Sequence, residues 1–316
     1  MVNIYKKFKY SIRYSDIYNI IKNILYEMGV QNMAKISLDN LISKVEDMPI
    51  LPDGINKIIS LAEDPYSTVQ ELEKEILTDQ SLTSKILKLA NSTYYGYARR
   101  IDTVSEAAVL LGAQAIKSLA LASAVSEYLV KELPGGYGLE KYELWNQSQS
   151  CAIIARFIAK KLKYPKAEQA YVAGLLRDIG KTILNYYVAK EYQTIINKVD
   201  EEGKTFVEAE EEILGFNHGE VGAKIAEKWN FPLSLVESIR YHHSPELSKE
   251  DPKLVSIVHI ADSITMMLGV GVGNDGLSYK FSDFALETLN IKGEVIESII
   301  CESVDYLNDN DSFNII

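Results

Sequence analysis

The chain has 316 residues, 47% hydrophobic and 24% charged, enough apolar material for one large domain or two closely packed ones. A net charge of -11 and a pI near 5.0 argue against nucleic acid as the main partner, because phosphate contacts need clustered Lys and Arg. No stretch approaches the roughly 18 uninterrupted apolar residues of a membrane span. The basic start from Met1 to Tyr10 has no apolar run behind it, and two cysteines are too few for a disulfide framework, so the expected location is a reducing cytoplasm.

Residues 1–32 read as an extension rich in Tyr, Lys and Ile, with Met33 as an alternative start. Ile17, Ile20, Ile21, Ile24 and Leu25 predict one amphipathic accessory helix there. A first helical block is expected over 33–134. In it, Ser67 with Gln70 predicts a capping box ahead of a face made by Val69, Leu72 and Ile76. Leu82, Ile86 and Leu89 continue the pattern in the next helix. Asn91 and Ser92, followed by Tyr94, Tyr95 and Gly96, read as a helix C-terminus, with a recognition loop as the alternative.

The run Leu133-Pro134-Gly135-Gly136-Tyr137-Gly138 is a loop signal between two helical halves. The second block, 139–270, opens with Cys151, Ile154, Ile158 and Leu162 at helical spacing. Cys151 and Cys301 both read as buried small apolar residues. Glu208 to Glu212 reads as a solvated helix face. The glycine-rich stretch from Gly269 to Ser278 leads into a helical tail, 271–316. The 20 tyrosines, paired at Tyr94-Tyr95 and Tyr186-Tyr187, suit interface anchoring, although a coding bias would also raise their number. No sustained alternation of apolar and polar residues and no hairpin signal is present, so the fold class is all-α.

The four histidines, His218, His242, His243 and His259, are the scarce chemical resource. Asp178 and Asp262 sit in apolar helical runs, where a carboxylate is costly unless paired, hydrogen-bonded or metal-bound. Histidines and aspartates from separate helices can assemble a hydrolytic metal site, but satisfied core polar groups are the default for such residues. His259, three residues before Asp262 on the same face, reads as a packing or hydrogen-bonding partner.

Gly174-Leu175-Leu176-Arg177-Asp178-Ile179-Gly180-Lys181 resembles the "GLLHDIGK" signature of HD-domain proteins, with Arg177 in place of the signature histidine. His218-Gly219-Glu220-Val221-Gly222, Trp229-Asn230-Phe231-Pro232 and Ile239-Arg240-Tyr241-His242-His243 follow in the order and spacing of the HDOD branch. Val258-His259-Ile260-Ala261-Asp262 resembles the closing "H-x-A-D" element. Upstream, Met48-Pro49-Ile50-Leu51-Pro52, Asp79 through Ser92 with Tyr95-Gly96, and Ile101 through Ala107 with Leu111-Gly112 match the opening motifs. Together they cover about residues 35–300, and the resemblance is to the HDOD family, a non-catalytic branch of the HD and HD-GYP phosphohydrolase superfamily.

That resemblance implies an N-terminal helical subdomain packed on an HD-like bundle, and a bacterial regulatory protein without appreciable hydrolase activity. Partners would be signalling proteins supplied in trans, such as histidine kinases, receivers or cyclic-dinucleotide proteins. It also implies a degenerate pocket of Gln147, Arg177, Asp178, His218, His242, His243 and Asp262. Two ligand histidines of a working site are replaced, by Gln147 and Arg177; glutamine is a weak neutral ligand and arginine has no lone pair to donate. No catalytic residue and no cofactor are therefore expected, beyond weak residual divalent metal at Asp178, His218, His242 and Asp262.

Two alternatives stay open. One is a metal-dependent phosphohydrolase acting on a nucleotide or cyclic dinucleotide, although no Gly-Tyr-Pro element follows the Arg-Asp pair. The other is a ligand sensor in which Arg177 clamps a phosphate or carboxylate.

Overall fold

A computed structural model describes residues 37–44, 53–64, 66–91, 100–187, 191–274 and 280–308. The extension over residues 1–32, Met33, Met48 to Pro52, Ser92 to Gly96 and the glycine-rich stretch beyond Asn274 lie outside these residues, as do the side chains of Tyr186 and Tyr187.

Among the described residues all extended regular structure is helical, and one isolated antiparallel bridge joins Leu133 to Leu139. The first block comprises α1 (Leu38–Lys44), α2 (Asp53–Glu63), α3 (Val69–Ile76), α4 (Gln80–Ala90), α5 (Val104–Leu111) and α6 (Ala113–Leu129). Leu82, Ile86 and Leu89 are all buried, as their spacing predicts. The helix start is one residue later than expected. Thr68 is the N-cap, and Glu71 closes the capping box back onto its backbone N–H. Ser67 instead bonds back to the carbonyls of Leu61 and Asp64, which removes it from the capping role. Both Ser67 and Thr68 meet the three-residue rule, and only the entering chain direction separates them. Asn91 caps α4 as read: its amide bonds to the Leu87 and Ile101 carbonyls, and it accepts from the Ile101 N–H.

The second block comprises α7 (Glu143–Lys161), α8 (Ala167–Leu176), α9 (Ile179–Tyr187), α10 (Tyr192–Glu202), α11 (Phe206–Leu214), α12 (His218–Lys228), α13 (Leu233–Tyr241) and α14 (Pro252–Met267). The tail adds α15 (Asp283–Thr288) and α16 (Gly293–Asn308). The described residues from Leu38 to Asn308 gather into one compact unit. Within it α6, apolar around most of its circumference, packs against α2, α4 and α5 and also against α8, so the two blocks share a core. α7 packs against both α8 and α14, α9 lies on α12, and α12 on α13. No helix among the described residues is long and apolar enough to cross a membrane.

Cys151 is buried, but Cys301 is exposed, contrary to expectation. α16 turns Ile299, Ser303 and Leu307 inward at intervals of four, and Cys301 falls on the opposite face.

Candidate functional site

Arg177 and Asp178 form the two-residue turn between α8 and α9. A Cβ on Gly180 would lie 2.0 Å from the His218 carbonyl oxygen, so only glycine lets α9 meet the start of α12 this closely. That approach sets Asp178 against His218. A Cβ on Gly219 would similarly lie 2.9 Å from the Arg240 carbonyl. The end of α13, carrying His242 and His243, is thereby drawn to the same histidine.

One half of the pocket belongs to the guanidinium. Arg177 is wholly buried; its Nε donates to Asp262 Oδ1 at 2.6 Å and its Nη1 to the Gly174 carbonyl at 3.0 Å, while Nη2 stands 3.2 Å from Asp178 Oδ2. Burial opposes its charge, but Asp262 and Asp178 more than offset that and hold the group protonated. Gln147, also buried, lies on α7 and donates to the Gly271 carbonyl and the Met266 sulfur, each at 3.1 Å, leaving its Oε1 without a hydrogen bond. Cys151 is close enough to feel these charges, and burial pushes its thiol up, away from the reactive thiolate.

The other half is a histidine cluster. His218 Nε2 lies 3.2 Å from Asp178 Oδ1 and 3.0 Å from His243 Nε2. His218 Nδ1 is 2.8 Å from Glu210 Oε2, which also accepts the His218 backbone N–H at 3.0 Å. Glu210 Oε1 accepts the Tyr137 hydroxyl at 2.5 Å. Burial works against a charged His218, but Glu210 and Asp178 outweigh it and raise the imidazole to about 9. His242 differs. Its Nδ1 donates to the Ile239 carbonyl at 2.8 Å, so the lone pair is on Nε2, 3.7 Å from Asp178 Oδ1 and without a hydrogen bond. Burial lowers it to about 4, and His243 is depressed in the same direction by burial and by its two imidazole neighbours.

Lys181 Nζ stands 3.3 Å from Asp178 Oδ1 and 5.4 Å from the Tyr137 ring centroid. Burial opposes ionisation of Asp178, but Lys181, Arg177 and His218 together hold it well below the usual carboxylate range. Arg177, Lys181 and protonated His218 formally balance Asp178, Asp262 and Glu210, three charges against three. His259 is the polar partner it was read to be. It accepts the Ser282 N–H on Nε2 at 2.9 Å, so its Nδ1 donates to the His242 carbonyl at 2.7 Å.

Asp178, His218, His242 and His243 thus converge, while Asp262 is taken by Arg177 and Gln147 by the turn after α14. Glu210 corrects the reading of Glu208 to Glu212 as a solvated face: it is wholly buried. The signal was present, since Glu210 stands four residues from both Phe206 and Leu214 and so falls within their apolar stripe. Tyr137, read only as part of a loop, is buried under Glu210, and Lys181 was visible only as a motif letter.

The four ligand positions of a working HD site do not fit a metal here. Arg177 offers no lone pair and its guanidinium fills the space between Asp178 and Asp262. The histidine half is different: its buried acceptor His242 Nε2 accepts no hydrogen bond, whereas Asp178 Oδ1 is engaged by Lys181 at 3.3 Å and by His218 at 3.2 Å.

The HDOD domain model matches residues 48–245. An uncharacterized protein of Treponema pallidum (strain Nichols) is 26% identical over 234 residues, which cover 71% of this chain and 43% of that protein. The chain therefore spans less than half the length of that relative. The structure of an HDOD domain protein of unknown function from Geobacter sulfurreducens is similar with a TM-score of 0.73 at 27% identity, over 88% of this chain and 97% of that one. A protein of Shewanella amazonensis SB2B, provisionally described as a phosphohydrolase, has a TM-score of 0.61 at 24% identity, over 84% and 97% of the two chains. At that identity the likeness concerns the fold alone.

Proposed function

This chain belongs to the HDOD domain family, and from that premise we propose that it is a non-catalytic regulatory protein that acts through contacts with signalling proteins. The observation that carries the reading is Arg177, buried between Asp262 at 2.6 Å and Asp178 at 3.2 Å. A hydrolase of the HD kind needs a metal at that place to lower the pKa of a bound water and polarise a phosphoryl oxygen. A fixed cation there balances the carboxylates permanently and supplies neither effect.

Ligand sensing through Arg177 is a weaker reading, because its Nε and Nη1 already donate to protein oxygens and its Nη2 faces Asp178. Partners drawn from histidine kinases, receivers or cyclic-dinucleotide proteins would match the family's signalling character. The alternative, a metal-dependent phosphohydrolase, draws its support from the histidine cluster.

The test has two arms. A phosphohydrolase screen over nucleotides and cyclic dinucleotides in Mn2+ should find no turnover, and turnover abolished by Asp178→Asn would overturn the reading. Affinity capture from the native cell should recover a signalling protein that a surface-charge variant of the same chain still retains.

A further inference from the structure

We propose that Lys160, in the last turn of α7, is the lysine of this chain that acyl phosphates modify first, forming an amide at Nζ. α7 ends in a run of cations. Arg156, Lys160, Lys161, Lys163 and Lys166 fall within eleven residues that hold no Asp or Glu, in a chain of net charge -11. The backbone draws them together, because Lys163 turns left-handed at φ +55° and its N–H donates to the Lys160 carbonyl at 3.0 Å.

Their partners set one of them apart. Arg156 pairs with Glu168 of α8 at 2.8 Å, Lys161 with Glu302 of α16 at 2.5 Å, and Lys166 with Asp251 at 3.7 Å. Among the described residues no carboxylate comes within ion-pair distance of Lys160. Lys160 instead stands four residues from Arg156 on the same face of α7, so it faces a like charge. It is exposed, and a small reagent can reach its Nζ. Partial loss of hydration and the Arg156 guanidinium push its amine below the ordinary lysine range, against the pull of Glu168. Lys163 is exposed as well but has no guanidinium four residues away.

Acylation needs a neutral amine and a donor close to it, and this corner of the fold supplies both. The Nζ lone pair attacks the acyl carbon, the C–O bond to phosphate breaks, and inorganic phosphate leaves with that electron pair. The amine proton passes to solvent and an amide remains. An ordinary lysine has roughly 0.4% of its amine neutral at pH 8, so a depressed pKa raises the rate almost in proportion. The surrounding cations raise the local concentration of a phosphate-bearing donor. The product amide carries no charge, which removes the repulsion with Arg156. Gln147 lies about 20 Å away along α7, at 1.5 Å per residue, so this site is separate from the histidine pocket and independent of the non-catalytic reading.

The test is incubation of the full chain with acetyl phosphate at pH 8, with acetylated lysines quantified by peptide mass spectrometry at early times. Lys160 is expected to react at least about fivefold faster than Lys163. Arg156→Gln should slow Lys160 about threefold while leaving Lys57 of α2 unchanged, a selective loss that unfolding cannot produce. Lys163→Gln should slow Lys160 about twofold with acetyl phosphate and leave its reaction with p-nitrophenyl acetate, an uncharged donor, unchanged. Another lysine acetylated first, equal rates at Lys160 and Lys163, no slowing in Arg156→Gln, or equal slowing with both donors in Lys163→Gln overturns the proposal. The order of acetylation in the wild type needs no variant, so the proposal stays open to refutation even if Arg156→Gln does not fold.

Discussion

Ile58, Ile76 and Ile86 in the first block and Arg177, Glu210 and His218 in the second are all buried completely, yet different forces keep them there. The isoleucines are held by removal of apolar surface from water, at about 25 cal/mol per Å2, a non-directional gain that each side chain collects separately. The charged groups gain nothing from burial itself and persist because each has opposite charges within hydrogen-bond reach. The first region should therefore lose stability in proportion to the volume removed. The second should fail when any one partner is lost, because the groups left behind become uncompensated.

The sharpest way to break this contrast is Arg177→Met, which leaves Asp178 and Asp262 facing each other without their shared cation. A loss of about 3–5 kcal/mol in unfolding free energy is expected from urea titration. A loss under about 1 kcal/mol would mean that the carboxylates find other compensation and that Arg177 is not what holds the pocket together. Ile86→Ala is the counterpart in the apolar region. It should cost about 2–5 kcal/mol through lost transfer energy and the remaining cavity, and the purely apolar Ile86→Val much less. No such graded series should exist at Arg177.

Proton linkage separates the regions next. His218 titrates at about 9 against an ordinary 6.5. Its contribution to stability is complete below pH 6.5 and is lost as pH rises through about 9, on the order of 3 kcal/mol. His242, lowered to about 4, acts in the opposite sense and costs stability as pH falls from 6.5 to 4. Denaturant midpoints should thus peak near pH 6.5, and Glu210→Gln should flatten the alkaline slope. Equal midpoints at pH 6.5 and pH 9 in the wild type would contradict the charged pairing of His218. The smallest effect belongs to the helix caps: Thr68→Ala should cost about 1 kcal/mol and Ser67→Ala clearly less, and the reverse order would restore Ser67 as the cap.

How much of this was legible before any coordinates depends on the range of the signal. Leu82, Ile86 and Leu89 announce a helix because one period of 3.6 residues is a local property. The same period places the capping box within one residue and puts Glu210 on the buried stripe of Phe206 and Leu214, a signal masked by its acidic neighbours. The exposure of Cys301 has a related reason. A helix can be periodic while the face it buries is chosen by α7, against which α16 lies.

The sequence by itself determined the all-helical class and the family, because periodicity and motif order are both local. Tertiary structure alone decided that Arg177 spans Asp178 and Asp262, that Glu210 is buried behind His218, and that His243 joins the cluster while Asp262 does not. Those outcomes depend on how closely α9, α12 and α13 approach. That spacing is set by the packing of whole helices and by the missing side chains of Gly180 and Gly219, where two backbones come nearer than a Cβ would permit.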